Sequence, residues 1–291
     1  MSDTHSIGTP SLSVSIKAEG AELISLRDGA GEELLWQAGP EWPRHAPVLF
    51  PIVGRLPGDA LEVDGQRYAM TQHGFARDSL FEWRERSETR ARLVLRDSEA
   101  TRARYPFAFE LELIYEVADQ TLDVTTRVHN TGDLPLPFAV GAHPAFRWPL
   151  VPGLPKERHV LRFEGAAPSK ASALEGGFLS GERDVPVEKD ALALSEALFS
   201  GDALVFGGIG EGAVRFEALG EGGPERALRV AWKGYHDLGV WSKPQGAPFL
   251  CIEPWFGTTP PLGWNGDFTQ KPGNATLPAG ESRDYVWSVS V

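Results

Sequence analysis

Residues 109–128 read FELELIYEVADQTLDVTTRV, and this stretch decides the fold class. Apolar and polar side chains largely alternate over residues 109–117 and again over residues 122–128. Alternation with a period of two residues predicts strands that bury one face. Similar short apolar runs, bounded by Gly, Pro, Asn or Asp, recur along the chain, for example at residues 12–17, 23–26 and 93–95. The sequence therefore predicts a nearly all-β protein, built as a large β sandwich.

Turn signals separate the predicted strands. Asp64-Gly65 lies between two strand-like runs and predicts a two-residue hairpin, because both residues tolerate a positive φ. Residues 130–133 mark a further turn. The last stretch, residues 285–291, alternates again and predicts a closing strand with one buried face.

Two segments depart from the strand pattern. Residues 191–199 are rich in Ala and Leu and predict a short helix. A tract rich in Pro and Gly, residues 149–181, interrupts the strands, which resume beyond it with the same character. We interpret this tract as a surface excursion and expect one domain over residues 1–291.

The composition limits the functions that the chain can have. With 42% hydrophobic and 23% charged residues among 291, it has the balance of a folded globular protein. The formal net charge of −12 disfavours nucleic acid and anionic membrane as partners, since both attract clustered Lys and Arg. Residues 1–10 have no basic stretch followed by an apolar run, and no segment reaches membrane-spanning length, so we expect a cytoplasmic protein.

The only cysteine is Cys251. One cysteine cannot form an intramolecular disulfide or a Cys-based zinc cluster. We therefore expect Cys251 to be a buried structural thiol.

Three short motifs place ionisable residues beside Gly or Pro at the ends of strand-like runs: QHGFAR at residues 72–77, GAHPAF at 141–146 and CIEPWFG at 251–257. At such positions the backbone leaves the sheet, and side chains from different strands can come together at the opening of one site. A single His, or a Glu before Pro, is more often structural or solvent-facing. Together the three motifs can supply an acid–base pair.

Aromatic residues are numerous, with nine Trp and fifteen Phe, several of them beside Pro or Gly. Core packing and loop anchoring account for most of them. The nonpolar face of a pyranose stacks on Trp or Phe, and exposed rings near polar groups mark ligand pockets. Some of these rings are therefore candidates for binding a sugar.

The sequence resembles the aldose 1-epimerase (mutarotase) family, and within it the branch that includes the LacX-like proteins. The matching motifs are LFPIVGRL at residues 49–56, HGFAR at 73–77, GAHP at 141–144 with Phe146, DALVF at 202–206, WSKP at 241–244 and CIEPW at 251–255. They occur in order, and flanking strands extend the likeness over nearly the whole chain. The resemblance implies a β supersandwich that binds its sugar on a concave sheet face.

The resemblance also assigns roles to single residues. It implies that Glu253 is the catalytic base and that His143 is the acid. His73 and Arg55 correspond to residues that bind the sugar or stabilise the transition state. Asp202 matches an aspartate that contacts sugar hydroxyls, and Asp237 is its rival for that role.

The matching motifs also imply roles for three further residues. Arg77 belongs to the motif of this branch, where it binds substrate or braces His73. Phe146 and Trp255 are expected to bind the sugar with their rings. The family implies neither a metal ion nor an organic cofactor.

The chemistry of anomer exchange agrees with these assignments. Opening a hemiacetal requires removal of the C1 hydroxyl proton and donation of a proton to the ring oxygen, so that neither alkoxide nor oxocarbenium accumulates. Rotation about the C1–C2 bond presents the other carbonyl face, and the same two groups close the ring. Glu253 acts as base if it is ionised at neutral pH, and His143 as acid if a nearby carboxylate holds up its pKa. Arg55 would offset negative charge on sugar oxygens.

Other enzyme classes fit the residues less well. His73, His143 and Glu253 are also a two-His, one-carboxylate set for iron, but the His-x-His pair common in cupin-type sites is absent. A glycosidase needs two facing carboxylates, which Glu253 and Asp202 can supply, but the match of His143 to the acid of the mutarotase family argues against this class. Residues 208–213 have the G-x-G-x-x-A spacing of a dinucleotide loop, but the next residues continue as a strand, which removes the helix N-terminus that holds the phosphates.

Two alternatives to a free-aldose mutarotase stay open. A carbohydrate-binding or sugar-sensing protein would tolerate Gln and Asn in place of Glu253 and His143, so the presence of both residues favours an enzyme. A hexose-6-phosphate mutarotase would use Arg55, Arg77 or Lys243 for the phosphate. We expect a small-molecule sugar as the partner, and a monomer or a weak homodimer.

Overall fold

The computed structural model describes residues 3–291, and its regular structure is nearly all β. The first strands are β1 Thr4–Thr9, β2 Leu12–Lys17, β3 Leu23–Asp28, β4 Val48–Leu49, β5 Ala60–Val63, β6 Gln66–Ala69, β7 Glu82–Arg86, β8 Arg90–Arg96, β9 Glu110–Ala118, β10 Thr121–His129, β11 Leu136–Phe138, β12 Val140–Ala142 and β13 Ala145–Arg147. They are followed by β14 His159–Glu164, β15 Lys170–Glu175, β16 Phe178–Asp184, β17 Val187–Glu188, β18 Ala191–Ala193, β19 Leu204–Phe206, β20 Gly212–Leu219, β21 Pro224–Lys233, β22 Asp237–Trp241, β23 Phe249–Phe256, β24 Ala275–Leu277 and β25 Ser282–Ser290. The helices are a short α1, Glu99–Arg102, and 3₁₀ turns at Pro57–Asp59, Ala76–Asp78, Lys156–Arg158, Glu196–Phe199 and Phe268–Gln270. None of the helices in residues 3–291 is long and apolar enough to cross a bilayer.

Two large antiparallel sheets dominate the architecture. The first has ten strands in the order β17-β18-β14-β20-β21-β25-β10-β9-β8-β7. The second has eight, in the order β16-β15-β19-β22-β23-β12-β4, with β13 also paired to β23. A three-stranded sheet, β1-β2-β3, and the pairs β5-β6 and β11-β24 complete the fold.

The main core lies between the two large sheets. Phe163 of the first sheet meets Phe206 of the second, edge to face, with their ring centroids 5.7 Å apart. Leu250 and Ile252 of β23 enter the same core, and both are fully buried. The sheets therefore pack face to face, as in a β sandwich, and the other face of the second sheet can carry a site. The predicted fold class is confirmed.

Several local predictions are also confirmed. The stretch quoted first forms β9 and β10, which pair antiparallel around the turn between Ala118 and Thr121. Asp64 and Gly65 join β5 to β6 and have φ values of 50° and 75°, the positive φ that a tight hairpin turn requires. The closing strand is β25, which lies between β21 and β10.

Two predictions were wrong. Residues 191–199 form β18 followed by a 3₁₀ turn, because β18 pairs with β14 and this tertiary pairing outweighs a weak local preference for helix. The tract at residues 149–181 is not merely a surface excursion, since it contains β14, β15 and most of the hairpin with β16. β14 lies inside the ten-stranded sheet, between β18 and β20.

Candidate active site

The candidate site lies on the face of the second sheet that points away from the core. Successive side chains of a strand point to opposite faces. Since Leu250 and Ile252 of β23 enter the core, Cys251, Glu253 and Trp255 share the opposite face. Glu253 and Trp255 line a cavity there. One strand thus supplies both the predicted base and an aromatic ring beside it.

Two glycines on neighbouring strands make room for the Trp255 indole. A β carbon at Gly239 of β22 would lie 2.4 Å from the ring, and one at Gly141 of β12 would lie 2.5 Å from it. Such approaches are too close for a larger residue without displacement of the ring. The indole therefore packs against both neighbouring strands, where it forms part of the cavity wall.

His143 lies opposite Glu253. β12 and β13 both pair with β23, through Gly141 with Trp255 and through Ala145 with Cys251, and this register brings residue 143 across from residue 253. Nε2 of His143 is 3.1 Å from Oε2 of Glu253, and the two side chains are only 8% and 2% exposed. The structure therefore joins the predicted acid and base into one buried pair.

Burial determines the charge of this pair. It raises the pKa of Glu253 well above its usual value, and the negative charge of Asp202 adds to that rise. It lowers the pKa of His143 to about 3, against the opposing effect of the residue's own backbone carbonyl. These directions correct the expectation of an ionised Glu253 beside a His143 held protonated, because desolvation is the largest effect on both groups. Both shifts favour a net-neutral form of the pair, in which Glu253 holds the proton and His143 is uncharged.

The cavity has a volume of about 270 Å³. Its apolar wall includes the rings of Trp42, Trp241 and Trp255, and its polar groups include Gln72, His73, Arg77, His143, Asp202, Glu253, Thr258 and Thr259. An aromatic wall with a few convergent polar groups is typical of a small-molecule site. The volume lies just under the range of about 300–1,000 Å³ for larger ligands, so the cavity suits one small molecule.

His73 adjoins the pair as a neutral donor. Its φ is 65°, its Nδ1 accepts a hydrogen bond from the Gly54 N–H at 3.2 Å, and its ring meets that of His143 edge-on at 5.6 Å. Burial, reinforced by the charges of His143, Arg77 and Arg44, lowers the pKa of His73 well below its usual value. The accepting Nδ1 assigns the proton to Nε2, which can donate to a sugar oxygen.

The two predicted arginines lie in different places. Arg77 lines the cavity and donates from Nη2 to the Gln72 carbonyl at 2.6 Å, while burial lowers its pKa to about 10. Arg55 does not line the cavity, because its Nη2 is paired with Asp59 at 3.0 Å. The structure therefore brings Arg77 into the lining of the cavity and leaves Arg55 outside that lining.

The two candidate aspartates, Asp202 and Asp237, differ in their contacts. Asp202 lines the cavity. Asp237 does not, and both of its oxygens are in use: Oδ1 accepts from the Gly208 N–H at 2.8 Å and Oδ2 from the Gly257 N–H at 2.9 Å. Asp202 is therefore the better candidate for contact with a ligand.

Phe146 is not at the cavity, in contrast to the prediction. It is fully buried in the main core, whereas its neighbour Ala145 faces the side that carries Cys251. Neighbouring strand residues point to opposite faces, so Phe146 contributes packing rather than a sugar contact.

Comparison with known proteins agrees with this geometry. The family model described as aldose 1-epimerase matches residues 3–173, more than half of the chain. The chain belongs to the aldose 1-epimerase family. Protein LacX, encoded on a plasmid of Lactococcus lactis subsp. lactis, is 32% identical over 263 residues, which cover 86% of this chain and 87% of LacX.

Solved structures of aldose 1-epimerase relatives share the fold. The galactose mutarotase related enzyme from Lactobacillus acidophilus superposes with a TM-score of 0.90 at 32% identity, covering 99% of this chain and 97% of that one. A galactose mutarotase-like protein from Lactobacillus casei ATCC 334 gives a TM-score of 0.89 at 28% identity, with 99% of both chains covered. The resemblance inferred from the sequence is confirmed, and the sandwich is of the galactose mutarotase-like type.

Some residues of this cavity were missed by the sequence analysis. Trp42 and Thr258 line it, as do Gln72 and Trp241, which were noted only as parts of quoted motifs. The signal for Trp42 was weak, since it is one of several aromatic residues beside a proline. Its place in the cavity depends on the loop between β3 and β4.

Among residues 3–291, one group of side chains could hold a metal ion. A nitrogen of His143, the sulfur of Cys251 and an oxygen of Glu253 lie within 4.8 Å of one another. Zinc ligands lie about 2.0–2.3 Å from the metal, so a tetrahedral site would require these atoms to move closer together. The group differs from the iron set considered above, because it includes Cys251 and not His73. Cys251 is fully buried, as predicted.

Proposed function

We propose that this protein is a mutarotase, which interconverts the α and β anomers of a free aldose by acid–base ring opening and closure. The observation that carries the proposal is the buried pair of His143 and Glu253, 3.1 Å apart in the wall of a small aromatic cavity. The family supports an epimerase. The pair supplies the two proton-transfer groups that such a reaction requires.

The proposed mechanism uses the single proton of the pair. Glu253, in its carboxylate form, takes the proton of the C1 hydroxyl, while His143, in its imidazolium form, gives a proton to the ring oxygen. This charge-separated form holds the same one proton as the neutral pair, so only a shift of that proton is needed. Rotation about C1–C2 and the reverse transfers close the ring on the other face. The Nε2–H of His73 can donate to a sugar oxygen during these steps.

The cavity favours a monosaccharide as the substrate. A volume of about 270 Å³ suits one sugar ring better than an oligosaccharide. The indole of Trp255, beside Glu253, offers a surface for the nonpolar face of a pyranose. Arg77 and Asp202 are then available for the hydroxyl groups.

A screen of anomer exchange tests the proposal. NMR saturation transfer or polarimetry would compare neutral aldoses with hexose 6-phosphates. We expect accelerated exchange for at least one sugar. Saturable sugar binding without any acceleration would instead support the carbohydrate-binding alternative.

The pKa shifts of the pair predict a broad pH optimum. The pair gains a second proton only near the lowered pKa of His143, about 3, and loses its last proton only above the raised pKa of Glu253. We therefore expect the acidic limb of kcat/KM to lie near pH 3, well below the usual range of a histidine, because the one-proton state of the pair persists above that pH. Rates would be measured against pH, with circular dichroism to confirm folding. A midpoint near 6.5 would show that an ordinary histidine controls the reaction instead.

Arg77 distinguishes neutral from phosphorylated substrates. It lines the cavity, and its Nε has no hydrogen-bond partner among the described residues, so it can serve either hydroxyls or a phosphate. For a neutral substrate, we expect Arg77→Ala to weaken kcat/KM for both sugar classes by a similar factor, about tenfold, the loss of roughly one hydrogen bond to a charged group. Paired measurements on an aldose and its 6-phosphate decide the point. A loss confined to the phosphorylated sugar would favour a hexose-6-phosphate mutarotase.

The proposed proton transfers predict that activity survives removal of metal ions. We expect less than a twofold change in kcat after dialysis against EDTA, because His143 and Glu253 act directly on the sugar. The assay would compare dialysed enzyme with enzyme dialysed against buffer alone. Loss of activity that one added metal restores would assign the group of His143, Cys251 and Glu253 to a catalytic metal.

We further propose that residues 1–291 form one domain, which acts in the cytoplasm as a monomer or weak homodimer on a sugar and on neither nucleic acid nor membrane. Strand β25 supports the single domain, since it pairs with β10 on one side and β21 on the other and so ties distant parts of the chain together. A single cooperative unfolding transition would support the single domain. The molar mass measured by light scattering would test the oligomeric state.

A further inference from the structure

The imidazole of His143 has an unusual set of neighbours for a catalytic histidine. Its Nε2 meets Glu253, but its Nδ1 is buried and no other residue among residues 3–291 offers it a hydrogen bond; the backbone carbonyl of His143 itself is the one polar group that acts on the ring there. Reactive histidines are usually oriented by a carboxylate or a backbone carbonyl at the second ring nitrogen. Some other contact must fix the plane of this ring.

Aromatic rings surround the imidazole instead. Trp42 stacks on it, with ring centroids 4.8 Å apart and planes only 26° from parallel. Trp241 and His73 meet it edge-on, at 6.1 Å and 5.6 Å. Of these neighbours, only Trp42 stacks nearly parallel to the imidazole, so it is the contact best placed to set the ring plane.

Trp42 is itself held firmly by the loop between β3 and β4. Its carbonyl accepts a hydrogen bond from Nε1 of Trp36 at 2.8 Å, and its N–H donates to the Gly39 carbonyl at 3.1 Å. Its ring also packs against Phe249 of β23, at 5.6 Å. These contacts fix the indole before any substrate arrives.

The loop is anchored a second time just after Trp42. The buried carboxylate of Glu22 accepts from the backbone N–H groups of His45 at 2.7 Å and Ala46 at 3.1 Å. Hydrogen bonds and Lys17 hold the pKa of Glu22 down to about 2, although burial alone would raise it. The anchor therefore stays charged at every pH at which the enzyme would work.

Stacking on an indole also has an electronic effect. The face of the ring carries negative potential and attracts a cation, so an imidazolium gains more from Trp42 than a neutral imidazole does. The indole thus favours the charged form of His143 that donates the proton. Such contacts change an equilibrium by about 2- to 30-fold.

We propose that Trp42 is the positioning residue of the acid: its ring orients the His143 imidazole and stabilises the imidazolium, in place of a hydrogen bond from another residue at Nδ1. The proposal rests on the assignment of His143 as the proton donor. It goes further because it gives a catalytic task to a residue on a different loop, with no proton-transfer group of its own.

Two variants test the proposal by rescue. We expect Trp42→Leu to lower kcat about 5- to 30-fold with a smaller change in KM, and Trp42→Phe to restore most of the loss, since a phenyl ring can still stack. Leu174→Ala is the matched control, because Leu174 lines the cavity within the cluster around Trp255 and Val205, away from that around Trp42. It should alter KM more than kcat. A Trp42→Phe variant as slow as Trp42→Leu, though folded, would argue against stacking.

A double-mutant cycle separates positioning from direct sugar contact. If Trp42 acts through His143, adding Trp42→Leu to His143→Asn should cause no further loss of kcat. If Trp42 contacts the substrate, the same 5- to 30-fold loss should reappear in that background, and the proposal is overturned.

An NMR measurement without substrate makes the test independent of the activity assay. In Trp42→Leu, the ring-proton signals of His143 should shift downfield and broaden, because the stacked indole no longer shields or holds them. Unchanged signals would remove the positioning role. This result stands even if no aldose is a substrate, in which case the proposed function fails and the positioning of His143 is judged by the spectrum.

Discussion

Replacement of Glu253 by Gln should lower kcat for anomer exchange by about 10²–10⁴ while sugar binding changes little. The amide keeps the approximate size and hydrogen-bonding capacity of the carboxyl group but cannot take a proton from the C1 hydroxyl. A loss of this size corresponds to about 3–5 kcal/mol of barrier stabilisation. Saturation-transfer NMR on the best substrate would give kcat, and calorimetric titration would give the affinity for the sugar.

A second buried glutamate provides the control for this prediction. Glu217 is 4% exposed and lies on β20, where it is paired with Arg162 at 3.3 Å and Arg215 at 3.0 Å. Glu217→Gln should therefore affect stability and leave kcat unchanged. Near-normal exchange by Glu253→Gln would remove Glu253 as the base and with it the core of the mechanism.

The burial of Glu253 makes the amide substitution easier to interpret. The pKa of its carboxyl group is raised by desolvation, so the group is uncharged in the neutral form of the pair. Gln is therefore a close mimic of that resting form in both shape and charge. Any large loss of rate must then come from the missing proton transfer and not from a new charge imbalance in the cavity.

The strands of the fold could be predicted from the sequence because their signal is local. Alternation over residues 109–128 and the Asp64-Gly65 turn depend only on neighbouring side chains, and both were confirmed. The failure at residues 191–199 has the opposite cause. That segment became strand β18 by pairing with β14, a partner about 30 residues earlier, which local composition does not reveal.

The members of the site could be predicted in part, but their geometry could not. His143 and Glu253 were found from short motifs in which each precedes a proline, yet their contact depends on the register of β12 and β13 against β23. The same register decides that Ala145, not Phe146, faces the site. A one-residue change in register would reverse that result, and no local pattern fixes it.

Electrostatic details were also beyond the sequence. Arg55 was expected at the sugar, but Asp59, four residues later, pairs with it. The directions of the pKa shifts of His143 and Glu253 could not be predicted, because the degree of burial, which causes both shifts, follows from tertiary packing. Trp42 was missed for a similar reason, since its role depends on how a loop folds over the sheet.

Replacement of His143 by Asn should also lower kcat by about 10²–10⁴, because the side-chain amide cannot donate a proton to the ring oxygen as an imidazolium does. His159 provides the control. It is fully buried, and its Nε2 accepts a hydrogen bond from the Leu150 N–H at 3.1 Å. His159 does not line the cavity. We expect His159→Asn to lower the melting temperature and to leave kcat nearly unchanged.

The double variant His143→Asn/Glu253→Gln gives the sharpest test of the pair. An acid without its base cannot complete the concerted step, so the double variant should be about as slow as the slower single variant, far from the product of the two losses. The 3.1 Å contact supplies the structural reason, since the two groups share one proton and removing either leaves the other in the wrong state. Independent roles would make the two losses multiply. That outcome, measured by the same anomer-exchange assay, would break the pair into two separate contributions and require a different proton donor or acceptor for at least one of the two steps.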